Sequence, residues 1–267
     1  MPRPDPRLYQ IAMLSSLLVY GFGWLDFEIG PVQAVVTLVT VLVTQYGCTR
    51  LWRLPQFDPK SALISGLSLC LLLRCNELWV AGLGAFVSIA GKFLLRVNGK
   101  HVFNPTNLGV AVMLLSGRAW LSPGQWGSTA LLAFLFACLG GLVVNRAERS
   151  DVTYAFLAFY LAMLFGRSYL LGEPMTIPLH RTQSGAFLLF TFFMISDPRT
   201  TPDSRLGRVL FAGMVAAGAW YIQFRMFHTN ALIWSLAGCS LLTPLIDRIF
   251  VAARHAWPAP ASLWRTA

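Results

Sequence analysis

Two polar stretches interrupt an otherwise apolar chain, and their residue types suit holding a ligand better than breaking a bond. The first is Asn104-Pro105-Thr106-Asn107, at the head of the apolar run from Leu108 to Leu115. Asparagine is a good helix N-cap, and proline is tolerated at the first helical position because its missing N–H would be unpaired anyway. Capping accounts for Asn104 and Pro105, as it does for Asp58-Pro59, but it leaves Thr106 and Asn107 without a reason. A helix start inside a membrane presents free N–H groups and a positive dipole end. Two neighbouring carboxamides add paired donors and acceptors. That combination suits a planar polar heterocycle or an anionic group. The second stretch is Ser196-Asp197-Pro198-Arg199-Thr200-Thr201-Pro202. It reads equally as a loop in which proline stops a helix and as the polar end of a short helix, carrying Ser184, Thr191 and Ser196, that ends within a bundle.

Other chemistries lack their residues. The five cysteines lie apart in or beside apolar segments and no C-x-x-C occurs, so metal and disulfide frameworks have no support. His101, His180, His228 and His255 all sit at segment ends, and no Ser/His/Asp or Cys/His arrangement can be assembled around them. No Asp or Glu lies near the middle of an apolar segment, whereas proton and cation pumps usually carry carboxylates there. Lys92 and Arg167 fall within about a turn of a segment end and can snorkel to the interface. Neither a catalytic residue nor a metal ligand is expected.

These stretches must be positioned by membrane helices. Of 267 residues, 56% are hydrophobic and only 12% charged, with a mean hydropathy of +0.60. A soluble domain carries roughly 25% charged residues. The expected fold is an all-α polytopic membrane protein of about ten transmembrane segments, roughly 9–25, 31–49, 61–73, 78–95, 106–117, 127–144, 152–171, 183–195, 206–224 and 230–250. Segments three, five and eight are shorter than the ~20 residues a crossing helix needs and are expected as half-helices joined to buried extended stretches.

The two halves correspond. Ser65-Gly66 aligns with Ser184-Gly185, and Phe103…Thr106-Asn107-Leu108 echoes Phe227…Thr229-Asn230…Leu232. Two five-segment units have opposite orientations because five is odd, which gives an inverted repeat. The chain then reads as one integral membrane domain over 1–267, with repeat 1 at about 9–121, repeat 2 at about 127–250 and a cytoplasmic tail over 251–267.

Charge sets the orientation. With the N-terminus cytoplasmic and all ten segments crossing, only Arg74, Arg118, Arg167, Arg181 and Arg225 of the 21 Lys and Arg fall outside. This is a positive-inside pattern with both termini cytoplasmic, in the inner (cytoplasmic) membrane of a cell. It explains the net charge of +10 with lipid, not nucleic acid, as the partner.

GKHVFNPTNLGV, followed some 90 residues later by FFMISDPRTTP, resembles the NqrB/RnfD family, over roughly residues 8–250. These are membrane subunits of sodium-pumping NADH:quinone oxidoreductase and of Rnf electron-transport complexes. The resemblance implies ten helices in two inverted five-helix repeats, a flavin (riboflavin or FMN), and other membrane or soluble redox subunits as partners. It would make Asn104 and Asn107 the amides nearest an isoalloxazine ring, with Pro105 and Thr106 beside them on a cytoplasmic-side helix start. Asp197, Thr200 and Thr201 would belong to the matching cytoplasmic motif of the second repeat, and Ser184, on the preceding helix, is a candidate site residue beside them. The family's covalent FMN sits in a long loop that here has shrunk to GRAWLSPGQWGSTAL. Gly127-Ser128-Thr129 is a faint remnant of that motif, so the flavin is expected to be non-covalent and Thr129 to cap a helix.

The leading expectation is therefore an RnfD/NqrB-like electron-transport subunit that relays electrons with partner proteins. On this reading it is a non-catalytic subunit of an oxidoreductase complex. The rival on the same fold is a transporter or channel for a small solute, such as a flavin or a biosynthetic intermediate. A third reading is a scaffold whose basic cytoplasmic face docks soluble oxidoreductases.

Overall fold

The computed structural model describes residues 5–23, 30–122, 140–141, 144–145 and 148–255. Within them the chain is mostly helical: α1 (Pro6–Gly23), α2 (Pro31–Leu51), α3 (Pro59–Leu72), α4 (Leu78–Leu94), α5 (Pro105–Leu115), α6 (Ser150–Leu171), α7 (Thr176–Thr182), α8 (Gly185–Leu189), α9 (Arg205–Phe224), α10 (Ala231–Ser240) and α11 (Thr243–Ile249). Every apolar segment that falls within the described residues is helical. Most of segment six, including Gly127, Ser128 and Thr129, lies outside them, as does the tail beyond residue 255.

Local chemistry explains the helix starts. Asp58 accepts a hydrogen bond from the Lys60 N–H, and Pro59 fills the first position of α3. Asn104 and Pro105 do the same for α5, and the Ser204 hydroxyl accepts from the Gly207 N–H at α9. Each satisfies a donor that the helix itself leaves free.

The all-α expectation needs one amendment. Two short antiparallel pairs are present: β1 (Leu73–Cys75) with β4 (Ala119–Leu121), and β2 (Arg96–Val97) with β3 (Lys100–His101). The second pair is turned by Asn98-Gly99, both at positive φ (53° and 76°), as a two-residue hairpin requires. The first pair continues α3, so segment three is a 14-residue helix followed by a buried extended stretch. Arg74 on that stretch is 3% exposed and donates to the carbonyls of Cys70, Leu71 and Leu73, capping the negative end of α3.

Helix α8 is only five residues long and widens into a π-turn over Phe190–Met194. Among the described residues, α2 and α6 are long and apolar enough to cross a membrane, and α10 with α11 makes a third when counted as one span bent by 48°. The other apolar helices are shorter or more polar than a regular span, because breaks, strands and caps interrupt them.

Packing pairs the elements in a regular way. Helix α2 lies on α4 and α4 on α5; correspondingly, α6 lies on α9 and α9 on α10. Helices α5 and α10 also touch each other. The α4–α5 approach is close because a Cβ on Gly109 would stand 2.7 Å from the Gly84 carbonyl oxygen. The second half is filled by aromatic side chains, with the Phe156 ring 5.3 Å from Phe190 and 6.3 Å from Phe187.

Candidate functional site

The two polar motifs, far apart in sequence, meet. Asn104 Oδ1 accepts from the Asn107 N–H at 3.0 Å, as the capping argument requires. Its Nδ2 donates to Asp197 Oδ2 at 3.2 Å and to the Met194 carbonyl at 3.3 Å. One amide thus starts α5 and ties that start to the end of the π-turn after α8 and the loop that follows it.

Around this junction lies a cleft with about 780 Å³ of atom-free space, part of it open to solvent. Its polar lining includes Ser61, Ser65, Ser68, His101, Asn104, Thr106, Ser196 and Asp197; Phe192 and Phe193 form apolar wall, and Arg7 and Arg199 stand at its edge.

The expected site residues divide. Asn104, Pro105, Thr106 and Asp197 line the cleft. Asn107 does not: it is fully buried and its Nδ2 donates to the Ile233 carbonyl at 3.2 Å, joining the first turn of α5 to that of α10. Among the described residues its Oδ1 has no hydrogen-bond partner. Ser184 sits at the far end of α8, where its hydroxyl accepts from the Phe187 N–H. Thr200 and Thr201 are buried in the loop, and both hydroxyls donate to the Asp197 carbonyl, which holds the motif in its turn.

Burial pushes the Asp197 carboxyl above its ordinary value, against hydrogen bonds from the Arg199 N–H and Asn104 and the charges of Lys92 and Arg199. His101, on the hairpin strand β3, has Nδ1 2.9 Å from the Lys92 carbonyl oxygen. Burial, with the charges of Lys92, Arg96 and Arg199, pushes it down to about 3, so the imidazole is neutral at physiological pH. Assigning the Nδ1 proton to that carbonyl leaves Nε2 as an acceptor. At the cleft edge, Arg7 and Lys60 clasp Asp5. Burial alone would raise that carboxyl, but their hydrogen bonds outweigh it and hold it down to about 2.

Lys92 corrects the sequence reading. It does not snorkel: it is 4% exposed, and its Nζ donates inward to Gln45 Oε1 at 3.0 Å and Ser61 Oγ at 2.9 Å. Sequence reasoning also missed Ser61, Ser65 and Ser68 as cleft residues. Their i, i+4, i+7 spacing places them on one helix face, a signal present in the sequence.

A planar heterocycle fits this donor set. Hydroxyls, an imidazole acceptor and one remaining Asn104 lone pair offer edge contacts, and two phenyl rings offer faces to stack on. The fit differs in one respect from the expectation: the Asn107 amide is turned toward α10 and offers the cleft nothing.

Comparisons with known proteins agree with the motifs. Residues 118–255 match the model of the NQR2, RnfD, RnfE family. The chain is similar to the D subunit of the ion-translocating oxidoreductase complex of Halorhodospira halophila (strain DSM 244 / SL1), at 24% identity over 92% of this chain and 90% of the relative. The protein of the same description from Cronobacter sakazakii (strain ATCC BAA-894) is 24% identical over 92% and 93%. The D subunit of the proton-translocating ferredoxin:NAD(+) oxidoreductase complex of Clostridium ljungdahlii (strain ATCC 55383 / DSM 13528 / PETC) is 22% identical over 85% and 84%.

Proposed function

The chain belongs to the NQR2, RnfD, RnfE family, and from that premise we propose that it is an RnfD-like membrane component of an ion-translocating oxidoreductase complex. It holds a non-covalent flavin in the cleft between α3, α5 and the end of α8. The observation that carries this reading is the Asn104–Asp197 hydrogen bond, which brings both motifs to one cavity. The relatives' descriptions as parts of complexes support partner membrane or soluble redox subunits for this chain too.

Each residue then has a task. Asn104 sets the α5 start and orients Asp197. Ser61, Ser65, Thr106 and neutral His101 supply hydrogen bonds at the edge, while Phe192 and Phe193 exclude water from the face. A bound flavin supplies the electron-carrying chemistry, and the protein's part is to bind it, orient it and set its potential.

The wider architecture in this reading is ten crossings in two inverted repeats, about 9–121 and 127–250, with both termini cytoplasmic and the protein in the inner membrane. The matching pairs α2–α4 with α6–α9, and α4–α5 with α9–α10, support it, as does the contact between the first turns of α5 and α10. The same α5–α10 contact favours the rival reading, a solute transporter, since converging half-helices are also a transporter device.

Purified full-length protein decides between them. The redox reading expects flavin absorbance at about 370 and 450 nm that is released on acid precipitation. Protein with no such bands, together with uptake of labelled solute into proteoliposomes, would overturn it in favour of the transporter.

A further inference from the structure

Among the described residues, Lys92 is a buried ammonium without a counterion. Its hydrogen-bond partners, Gln45 and Ser61, are both neutral. Asp197 and Asp58 act on it only from a distance, and among the described residues neither forms an ion pair with it. The Asp58 carboxylate is held by Arg7 and caps α3; that of Asp197 is held by Asn104 and the Arg199 N–H. An uncompensated charge in a low-dielectric interior is costly and persists where something else supplies the opposite charge.

The direction from which that charge can come is fixed. Ser61 lines the cleft, and its hydroxyl lies 2.9 Å from Nζ, so a group resting on Ser61 is two hydrogen bonds from the ammonium. Arg7 and Arg199 border the same cleft, and His101 in it is neutral. Asp197 is the carboxylate in the lining, and burial disfavours its ionised form.

We propose that the cleft selects a ligand bearing a phosphate-type anionic group, with Lys92, reached through Ser61, as its counterion. Resting on the flavin reading, this makes the phosphorylated flavin, FMN, the preferred occupant over neutral riboflavin.

The test uses full-length protein in detergent, titrated with riboflavin and with FMN while flavin fluorescence is followed. The expected result is FMN bound about tenfold to a hundredfold more tightly than riboflavin, the range for a unit charge pair near 6 Å at an effective dielectric of ~20. Lys92→Gln is expected to bring FMN to the riboflavin value with riboflavin unchanged, and Lys92→Arg to keep the preference. If Lys92→Gln does not fold, Ser61→Ala serves, with the preference expected to fall several-fold. Equal binding of both flavins to the unaltered protein overturns the inference and leaves the flavin reading standing. So does an FMN preference that survives both Lys92→Gln and Ser61→Ala. If neither flavin binds, the flavin reading fails, and inorganic phosphate followed by thermal shift decides alone. Stabilisation that disappears in Lys92→Gln upholds the anion site, and no stabilisation overturns it.

Discussion

Lys92, just ahead of the β2–β3 hairpin, and Lys100, on its second strand, meet opposite electrostatic surroundings. Lys100 Nζ sits between two carboxylates, 3.0 Å from Asp203 and 2.8 Å from Asp247, and Asp247 in turn accepts from the Asp203 N–H. Its charge is used for structure: it clamps the hairpin before α5 to the start of α9 and to α11. Lys92 is more deeply buried and, among the described residues, its Nζ bonds an amide oxygen and a hydroxyl. A paired lysine holds the fold together, whereas an unpaired one beside a cleft is available to something that enters it. His101 links the two, bonded through Nδ1 to the backbone of Lys92 and adjacent in sequence to Lys100.

The sharpest way to break this comparison is at Lys100. Lys100→Ala strands Asp203 and Asp247, which are 8% and 20% exposed. A loss of about 2–3 kcal/mol is expected, below the full penalty for a completely buried pair, and chemical denaturation in detergent measures it. A loss under about 0.5 kcal/mol, the scale of an ordinary surface change, would remove the contrast.

Next comes pH. The folded His101 pKa, about 3, lies below the unfolded value of 6.5, so its contribution to stability is present above that unfolded value and is lost as pH falls toward the folded one. Lowering pH from 7 to 5 should cost about 2 kcal/mol through His101. Half-buried His255, pushed down by burial to about 4, adds to that cost, so His101→Gln should lessen the slope without abolishing it. A variant with the same pH dependence as the parent would show that another group titrates.

The smallest effect is expected at Lys92 itself. Removing an uncompensated charge relieves a cost, so ligand-free Lys92→Gln should be as stable as the parent within about 1 kcal/mol, or more stable. A large loss of stability would make Lys92 a structural lysine like Lys100.

Much of this site can be read from local rules. Asn98-Gly99 announces its hairpin, Asp58-Pro59 and Asn104-Pro105 announce helix starts, and the two polar motifs point to one another through family resemblance. What stays hidden depends on helix rotation. Thr106 and Asn107 are neighbours in one turn, yet Thr106 lines the cleft while Asn107 reaches α10. Lys92 is near enough to a helix end to snorkel, and only the packing of α4 against α2 turns its ammonium toward Gln45. The serine face of α3 was legible as spacing, but nothing in the sequence says that a cleft lies beside it.

Flavin occupancy is the decisive quantity for the proposed site at the Asn104–Asp197 junction. Protein purified with and without Asn104→Ala can be compared by absorbance at about 450 nm per chain. The parent is expected to carry non-covalent flavin and the variant at least tenfold less, alongside about 1 kcal/mol of lost helix capping. Flavin absent from the parent, or retained at full occupancy in a folded Asn104→Ala variant, would contradict it.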